Sequence, residues 1–248
     1  MAKHNRPASV MPIWTPPFGQ PPYPMERAEM LSIEFEADRK EIERITPEPF
    51  KPAKHNRLKA FFADNRQPPV SFEFHEVGIV QEVSFEGEKA FTIPYIYVSD
   101  DLAMLAGREL YGMTKLLCDK DKLRVHANQI FGELARDGVT MMEGSMVAER
   151  EAAPEEFPFD GSPFALQRHV PSIEPDGPSL RQVIWAEITE LAAPERCWFG
   201  NAHLEIRHPL ISGLKRLEPI KPLYGTYGVY SWMLNWGKVV HQEEVVAV

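Results

Sequence analysis

Runs in which apolar residues occupy every second position recur along this chain, and they constrain its fold more than any other feature. One run lies between Glu29 and Glu36, and another leads from Val70 to Phe74. Asp137-Gly138 separates two further runs, and this dipeptide suits a two-residue hairpin turn because both positions adopt positive φ. A period of two indicates strands. We therefore predict a mainly β chain with a few short helices, closed as a barrel or folded as stacked sheets.

Prolines dominate the beginning of the chain. Of the 23 prolines, seven fall between Pro7 and Pro24, where they remove backbone donors and hold the chain extended. We expect residues 1–24 to form an extended arm that wraps over a surface. We expect the 248 residues to form a single domain, because a β-rich domain of this length commonly stays single.

The charge balance excludes one class of partner. The chain carries 27 basic and 36 acidic residues, a formal net charge of −9 that repels phosphate backbones, so we expect no nucleic-acid partner. No apolar stretch reaches the roughly 20 residues of a membrane span, and the first residues lack the apolar middle of a secretory signal. We expect a cytoplasmic protein without a membrane partner, in which Cys118 and Cys197 are reduced thiols.

Several familiar kinds of site are missing from the sequence. It contains neither a glycine-rich phosphate loop nor the glycine elbow of a serine hydrolase. The eight histidines never form the close pairs that zinc sites favour, and Cys118 and Cys197 are 79 positions apart. On these residues we expect no metal site.

One lysine has the surroundings of a nucleophile. Residues 104–117 read MLAGRELYGMTKLL, in which Lys115 follows a short helix, expected to end at Gly107, and a glycine-bearing turn. Burial in such an apolar stretch penalises the ammonium, lowers the lysine pKa and leaves an amine that can attack a carbonyl. The alternative is a lysine whose stem lies along apolar surface with its ammonium in water. The residues alone leave both interpretations open.

A carboxylate is expected to face the same interior. Glu76 continues the parity of the apolar positions from Val70 to Phe74, which places its side chain on their face of the strand. A carboxylate in an apolar site positions substrate or moves protons. A salt bridge at the barrel end is the alternative interpretation.

The run Gly107-Arg108-Glu109-Leu110, followed five residues later by Lys115, resembles the signature of the acetoacetate decarboxylase family. Further similarities extend along nearly the whole chain, at Pro17 to Tyr23, Ile45 to Pro49, Phe74 to Glu76 and Val83 to Gly87. The resemblance implies a β-barrel-like sheet core with short peripheral helices, no metal or organic cofactor, and a homo-oligomer of four or more subunits. It also implies that Lys115 is the nucleophile and that Glu76 matches an active-site glutamate.

In that family the lysine amine attacks the ketone of a β-keto acid, and the resulting iminium accepts the electrons released as carbon dioxide leaves. Protonation and hydrolysis then free the ketone. The resemblance therefore implies a cofactor-independent carboxy-lyase that acts on a small, acetoacetate-like keto acid.

Three positions depart from the family pattern. Leu116 stands where typical members carry a second lysine. The family's other active-site glutamate falls near Phe61, unless Asp64 substitutes for it after a register shift. The family arginine falls at Ala28, and a one-residue gap would make Arg27 the partner of the substrate carboxylate, because guanidinium pairs bidentately with carboxylate.

Two further residues are candidates for binding substrate. Arg108 lies in the signature and can help to lower the pKa of Lys115. Tyr230 belongs to a C-terminal aromatic run that can present phenol hydroxyls to a pocket, although packing between strands is the commoner role of such residues.

These features support three hypotheses. The first is a lyase that decarboxylates a small β-keto acid through an imine on Lys115. The second is an aldolase-dehydratase that uses the same lysine on pyruvate-like 2-keto acids, as some altered relatives do. The third is a binding protein that uses Lys115 only as a cation for an acidic ligand.

Overall fold

The chain folds into a strand-rich structure with few helices. The computed structural model describes residues 17–67, 71–119, 123–153, 156–157, 160–207 and 217–245. The helical elements in these ranges are α1 (Arg39–Ile45), α2 (Asp101–Ala106) and a π-helical turn (Gly107–Tyr111) that follows α2 directly. The strands are β1 (Tyr23–Glu36), β2 (Lys51–Pro52), β3 (Arg57–Gln67), β4 (Ser71–Phe85), β5 (Glu88–Val98), β6 (Lys115–Leu117), β7 (Arg124–His126), β8 (Gln129–Arg136), β9 (Val139–Glu151), β10 (Phe164–Val170), β11 (Ser179–Ile206) and β12 (Lys221–Val245). The predicted mainly β fold is confirmed.

Seven of the described strands close into a ring, in the order β10, β5, β4, β3, β1, β12 and β11, because β11 also pairs with β10. Strands β9, β8 and β7 continue the sheet from β11, while β2 pairs with β4 and β6 pairs with β5. This topology confirms the expected barrel-like sheet core with short peripheral helices. None of the helices in the described ranges is long and apolar enough to cross a membrane.

Alternation along the ring strands separates an inner core from an outer one. In β3, Phe61 and Ala63 pack in the inner core, whereas Phe62 packs in the outer core. Strands β8 and β9 cover the outer face, where Gly132 and Gly144 pass directly against the Phe62 ring. The inner face is left to enclose a cavity.

Local sequence signals set most of the turns and caps. Asp38 caps α1 by accepting from Lys40 N at 2.9 Å, and Asp137-Gly138, with φ values of 54° and 74°, makes the predicted hairpin turn between β8 and β9. The expected end of α2 is confirmed, since α2 ends at Ala106 with Gly107 as its C-cap, but the glycine does not end the helical path of the backbone. Gly107 has helical angles, φ −63° and ψ −43°, and the chain continues as the π-helical turn until Gly112, whose φ is +76°.

The predicted N-terminal arm falls largely outside the described residues, which begin at residue 17. Its last two residues, Tyr23 and Pro24, belong to β1 and pair with Leu234 and Met233 of β12. Pro24 is tolerated there because β1 pairs with β3 only from Glu29 onward, so the proline lies where the strand has a neighbour on one side. The single-domain organisation stays a prediction.

Candidate active site

A cavity of about 190 Å³ lies inside the seven-strand ring. Every strand of the ring contributes to its wall, and residues 157, 161 and 162, together with Met113 and Lys115, complete it. Most of the wall is apolar. Its buried apolar side chains include Met25, Met30, Phe61, Val80, Ile93, Ile96, Phe164 and Leu234.

Lys115 and Glu76 meet in this cavity. Lys115 Nζ lies 2.6 Å from Glu76 Oε1, and the two side chains are only 9% and 11% exposed. Glu76 lies on β4 beside Val98 of β5, and Lys115 lies on β6 beside Ile96 of β5, so the lysine stem reaches across β5 to the carboxylate. Val70, which begins the run that predicted an inward Glu76, lies outside the described residues. The structure thus places an amine and a carboxylate side by side within apolar walls.

Glycine at position 107 lets the lysine take this path. A β-carbon on Gly107 would lie 2.7 Å from Cδ and 2.8 Å from Cε of Lys115. Such separations are about 1 Å shorter than the optimum between two carbon atoms. The glycine of the signature is therefore explained by the close passage of the lysine stem, since its own φ and ψ are open to any residue.

Side chains that donate hydrogen bonds to backbone carbonyls hold the segment that leads to Lys115. Arg108 Nη1 donates to the carbonyl oxygen of Lys115 at 2.9 Å, and Arg168 Nε donates to the Glu109 carbonyl at 2.7 Å. The Tyr111 hydroxyl donates to a β12 carbonyl at 2.7 Å. Arg108, proposed from sequence as a substrate-binding residue, does not line the cavity. Its guanidinium is occupied by the lysine backbone, so the structure gives it a positioning role.

Asn65 is a residue of the site that the sequence did not indicate. It is 1% exposed, lines the cavity, and donates from Nδ2 to Glu76 Oε2 at 3.4 Å. Asp64, considered as a replacement for the family's second glutamate, projects from the opposite face of β3. Its carboxylate pairs with His75 Nδ1 at 2.9 Å and accepts from Leu123 N at 3.0 Å. Because successive residues of β3 point to opposite faces of the sheet, Asn65 faces the cavity and Asp64 faces away from it.

Arg27 also lies outside the cavity wall. A bulge between Met25 and Ala28 shifts the register of β1, and Arg27 occupies it with a φ of 52°. Its guanidinium, half exposed, pairs with Glu195 at 2.6 Å. Ala28 lines the cavity at the neighbouring position. The extra residue of the bulge turns the arginine outward, so the structure does not bring it to Lys115.

Tyr230 does line the cavity, as its proposed role in substrate binding requires. Desolvation raises the pKa of its buried phenol, and the neighbouring Cys197 thiol raises it further. Tyr230 is therefore a protonated phenol, able to donate or accept a hydrogen bond. Leu116, at the position of the expected second lysine, is 37% exposed and does not line the cavity.

The charges of the cavity wall follow from these placements. Within the described residues that line it, Lys115 is the only basic side chain, and Glu76 and Glu190 are the acidic ones. No group of three or more His, Cys, Asp or Glu residues within the described ranges is arranged to hold a metal ion. The arrangement offers an amine that can attack a carbonyl and an adjacent carboxylate that can take its proton.

Comparisons with known proteins agree with this geometry. The family model described as acetoacetate decarboxylase matches residues 10–244. The acetoacetate decarboxylase of Chromobacterium violaceum is 25% identical over 237 residues, which cover 94% of each chain.

Solved structures share the fold at lower identity. One, described as a structural study of acetoacetate decarboxylase, superposes with a TM-score of 0.84 at 21% identity and covers 94% of this chain and 95% of that one. The enduracididine biosynthesis enzyme MppR, complexed with the condensation product of pyruvate and imidazole 4-carboxaldehyde, superposes with a TM-score of 0.77 at 20% identity and covers 90% of each chain.

Proposed function

The chain belongs to the acetoacetate decarboxylase family, and we propose that it is a Schiff-base lyase that decarboxylates a β-keto acid on Lys115. The observation that carries this proposal is the contact of Lys115 Nζ with Glu76 Oε1 at 2.6 Å inside an apolar cavity. An ammonium has no free electron pair, so a neighbouring base must take a proton before the lysine can attack. The contact with Lys115 supports Glu76 as this base.

The proposed reaction proceeds in four steps. The neutral Nζ of Lys115 attacks the ketone carbon, and the hydroxyl that forms leaves as water with the proton that Glu76 took from the ammonium, which gives a protonated imine. The bond between the α-carbon and the carboxylate then breaks, its electrons form the enamine double bond, and carbon dioxide leaves. Glu76 takes up a proton from solvent and passes it to the α-carbon, which restores the protonated imine. Water finally hydrolyses the imine and releases the ketone and the amine.

The charge of the cavity favours a substrate that loses its carboxylate. Burial of a carboxylate without a partner is costly, and the described wall offers it no cation besides Lys115. A 2-keto acid of the pyruvate type keeps its carboxylate throughout an aldol reaction, whereas a β-keto acid loses it in the central step. This contrast supports decarboxylation over aldol chemistry.

An aldolase-dehydratase that acts on pyruvate-like acids is the second candidate. Two observations favour it: Leu116 stands where the family pattern has a second lysine, and Phe61 rather than a carboxylate lines the cavity. Both changes alter the surroundings of the reactive group while keeping Lys115. A protein that binds keto acids without turnover is the third candidate, and it requires no covalent adduct.

Product analysis separates the three candidates. The purified protein is incubated with acetoacetate alone, or with pyruvate and an aldehyde, and carbon dioxide release and condensation product are measured. We expect carbon dioxide and acetone from acetoacetate, and no product with Lys115→Met. Glu76→Gln, which keeps the size of the side chain and removes its charge, is expected to lower kcat by about 100-fold, within the range for a lost general base.

The controls decide between failure of chemistry and failure of folding. Arg124→Met changes a basic residue whose side chain is 67% exposed and should leave the rate unchanged. Formation of a condensation product without release of carbon dioxide would contradict the decarboxylase proposal and support the aldolase-dehydratase. Equal rates in the wild type and Lys115→Met would refute both enzymes, and binding without product would leave the third candidate.

A further inference from the structure

The cavity continues well beyond the reactive pair. Glu76 and Val80 both lie on β4, on the same face, and both line it. Four residues of a strand span about 13 Å. The separation of Glu76 and Val80 along the backbone therefore exceeds the length of a four-carbon keto acid.

The far part of the cavity is apolar. Val80 is 3% exposed and Ile93 is 6% exposed, and Phe164 of β10 lies on the same wall. The total volume, about 190 Å³, exceeds that of an engineered cavity of about 150 Å³ with aliphatic and aromatic walls that binds benzene. A short substrate would leave this region without contacts, and the attraction between closely packed apolar groups would be lost.

We propose that the substrate is a β-keto acid whose ketone carries an apolar alkyl or aryl group, which lies along β4 from Lys115 toward Val80. This inference rests on the proposed imine chemistry at Lys115 and names the substrate class of that site. The wall that would receive the apolar group contains no basic side chain within the described residues. A terminal carboxylate would therefore lie against apolar residues at this wall, and it would gain a cationic partner only by reaching Lys59, the partner of Val80 on β3.

The substrate series that tests the inference varies chain length and terminal charge separately. Acetoacetate, 3-oxohexanoate and 3-oxo-3-phenylpropanoate differ in apolar size, and 3-oxohexanedioate replaces the terminal methyl group of the six-carbon chain by a carboxylate. We expect kcat/KM to rise about fourfold per added methylene, which corresponds to about 0.8 kcal/mol of transition-state binding. The six-carbon acid should thus exceed acetoacetate by roughly 15-fold, and the diacid should fall below 3-oxohexanoate.

Variants at Val80 test the path of the chain. Val80→Phe fills the far wall and should reduce the ratio of kcat/KM between 3-oxohexanoate and acetoacetate to near one. Val80→Ala enlarges the cavity at this wall and should give the highest kcat/KM to substrates with longer chains. Val139→Phe adds the same ring at a residue that is 42% exposed on β9 and should leave the ratio unchanged. Thermal unfolding shows which variants are folded.

The outcomes distinguish this inference from the function on which it rests. If keto acids form a borohydride-reducible adduct on Lys115 and lose carbon dioxide, but acetoacetate is the best substrate, the inference is wrong and the proposed function stands. Turnover of the diacid with a kcat/KM equal to or above that of 3-oxohexanoate would also overturn the inference. If no substrate forms an adduct or a product, the proposed function fails and the inference fails with it.

Discussion

Replacing Gly107 by alanine should lower the catalytic rate without lowering the stability of the fold. The added β-carbon would lie 2.7 Å from Cδ, 2.8 Å from Cε and 3.3 Å from Nζ of Lys115. Optimal separations between carbon atoms are about 3.7 Å, so the stem of the lysine must move by about 1 Å. The backbone of Gly107, at φ −63° and ψ −43°, accepts alanine without strain.

The substitution should have an unfavourable effect on the rate and a favourable effect on the stability of the helical turn. Misplacement of a reacting group by about 1 Å costs roughly 100-fold in rate. Alanine in place of glycine in a helical turn stabilises it by up to about 1 kcal/mol, which offsets the cost of moving a flexible side chain. We therefore expect Gly107→Ala to lower kcat by about 100-fold while the free energy of unfolding changes by less than about 1 kcal/mol.

The assay compares carbon dioxide release with urea unfolding for the wild type, Gly107→Ala and Gly132→Ala. The contrast variant places a β-carbon 2.6 Å from Cβ of Phe62, a fully buried side chain of the outer core. It should lower the free energy of unfolding without lowering the kcat of folded protein. Full activity in Gly107→Ala, or a loss that merely follows the folded fraction, would refute the reasoning.

Three further variants test the surroundings of the reactive pair. Asn65→Leu removes the amide donor to Glu76 Oε2 and should lower kcat about tenfold in steady-state assays, because hydrogen bonds to charged groups contribute about 1.5 kcal/mol or more. Asp64→Asn weakens the pairing with His75 and should cost about 2 kcal/mol in urea unfolding with kcat unchanged. Tyr230→Phe should raise KM with little change in kcat, since its phenol lines the cavity.

Features that depend on neighbours in sequence could be predicted from it. Alternation and turn residues predicted the strands and the Asp137-Gly138 hairpin, because a period of two and positive φ are local requirements. Glu76 was singled out by its parity and Lys115 by the resemblance of its segment to the family signature, and both lie in the cavity wall. Each of these signals lies within a few residues of the feature that it predicts.

Features that depend on strand register and on bulges could not be predicted from the sequence. The bulge at Arg27 turns the arginine outward, and no local pattern marks it. The choice between Asp64 and Asn65 follows from the parity of β3, which Phe61 fixes once it is known to face the cavity. Gly107 follows the last residue of α2, as glycine commonly does at helix ends, but that pattern does not reveal its close packing against Lys115.

Trapping the imine tests the central claim most directly. The protein is incubated with acetoacetate or 3-oxohexanoate, reduced with borohydride and digested with trypsin, which cannot cleave after a modified lysine. We predict that residues 109–115 are replaced by a peptide of residues 109–120 that carries the mass of the reduced ketone on Lys115. An adduct on another lysine, or a folded protein that turns over keto acids without any adduct, would contradict the account.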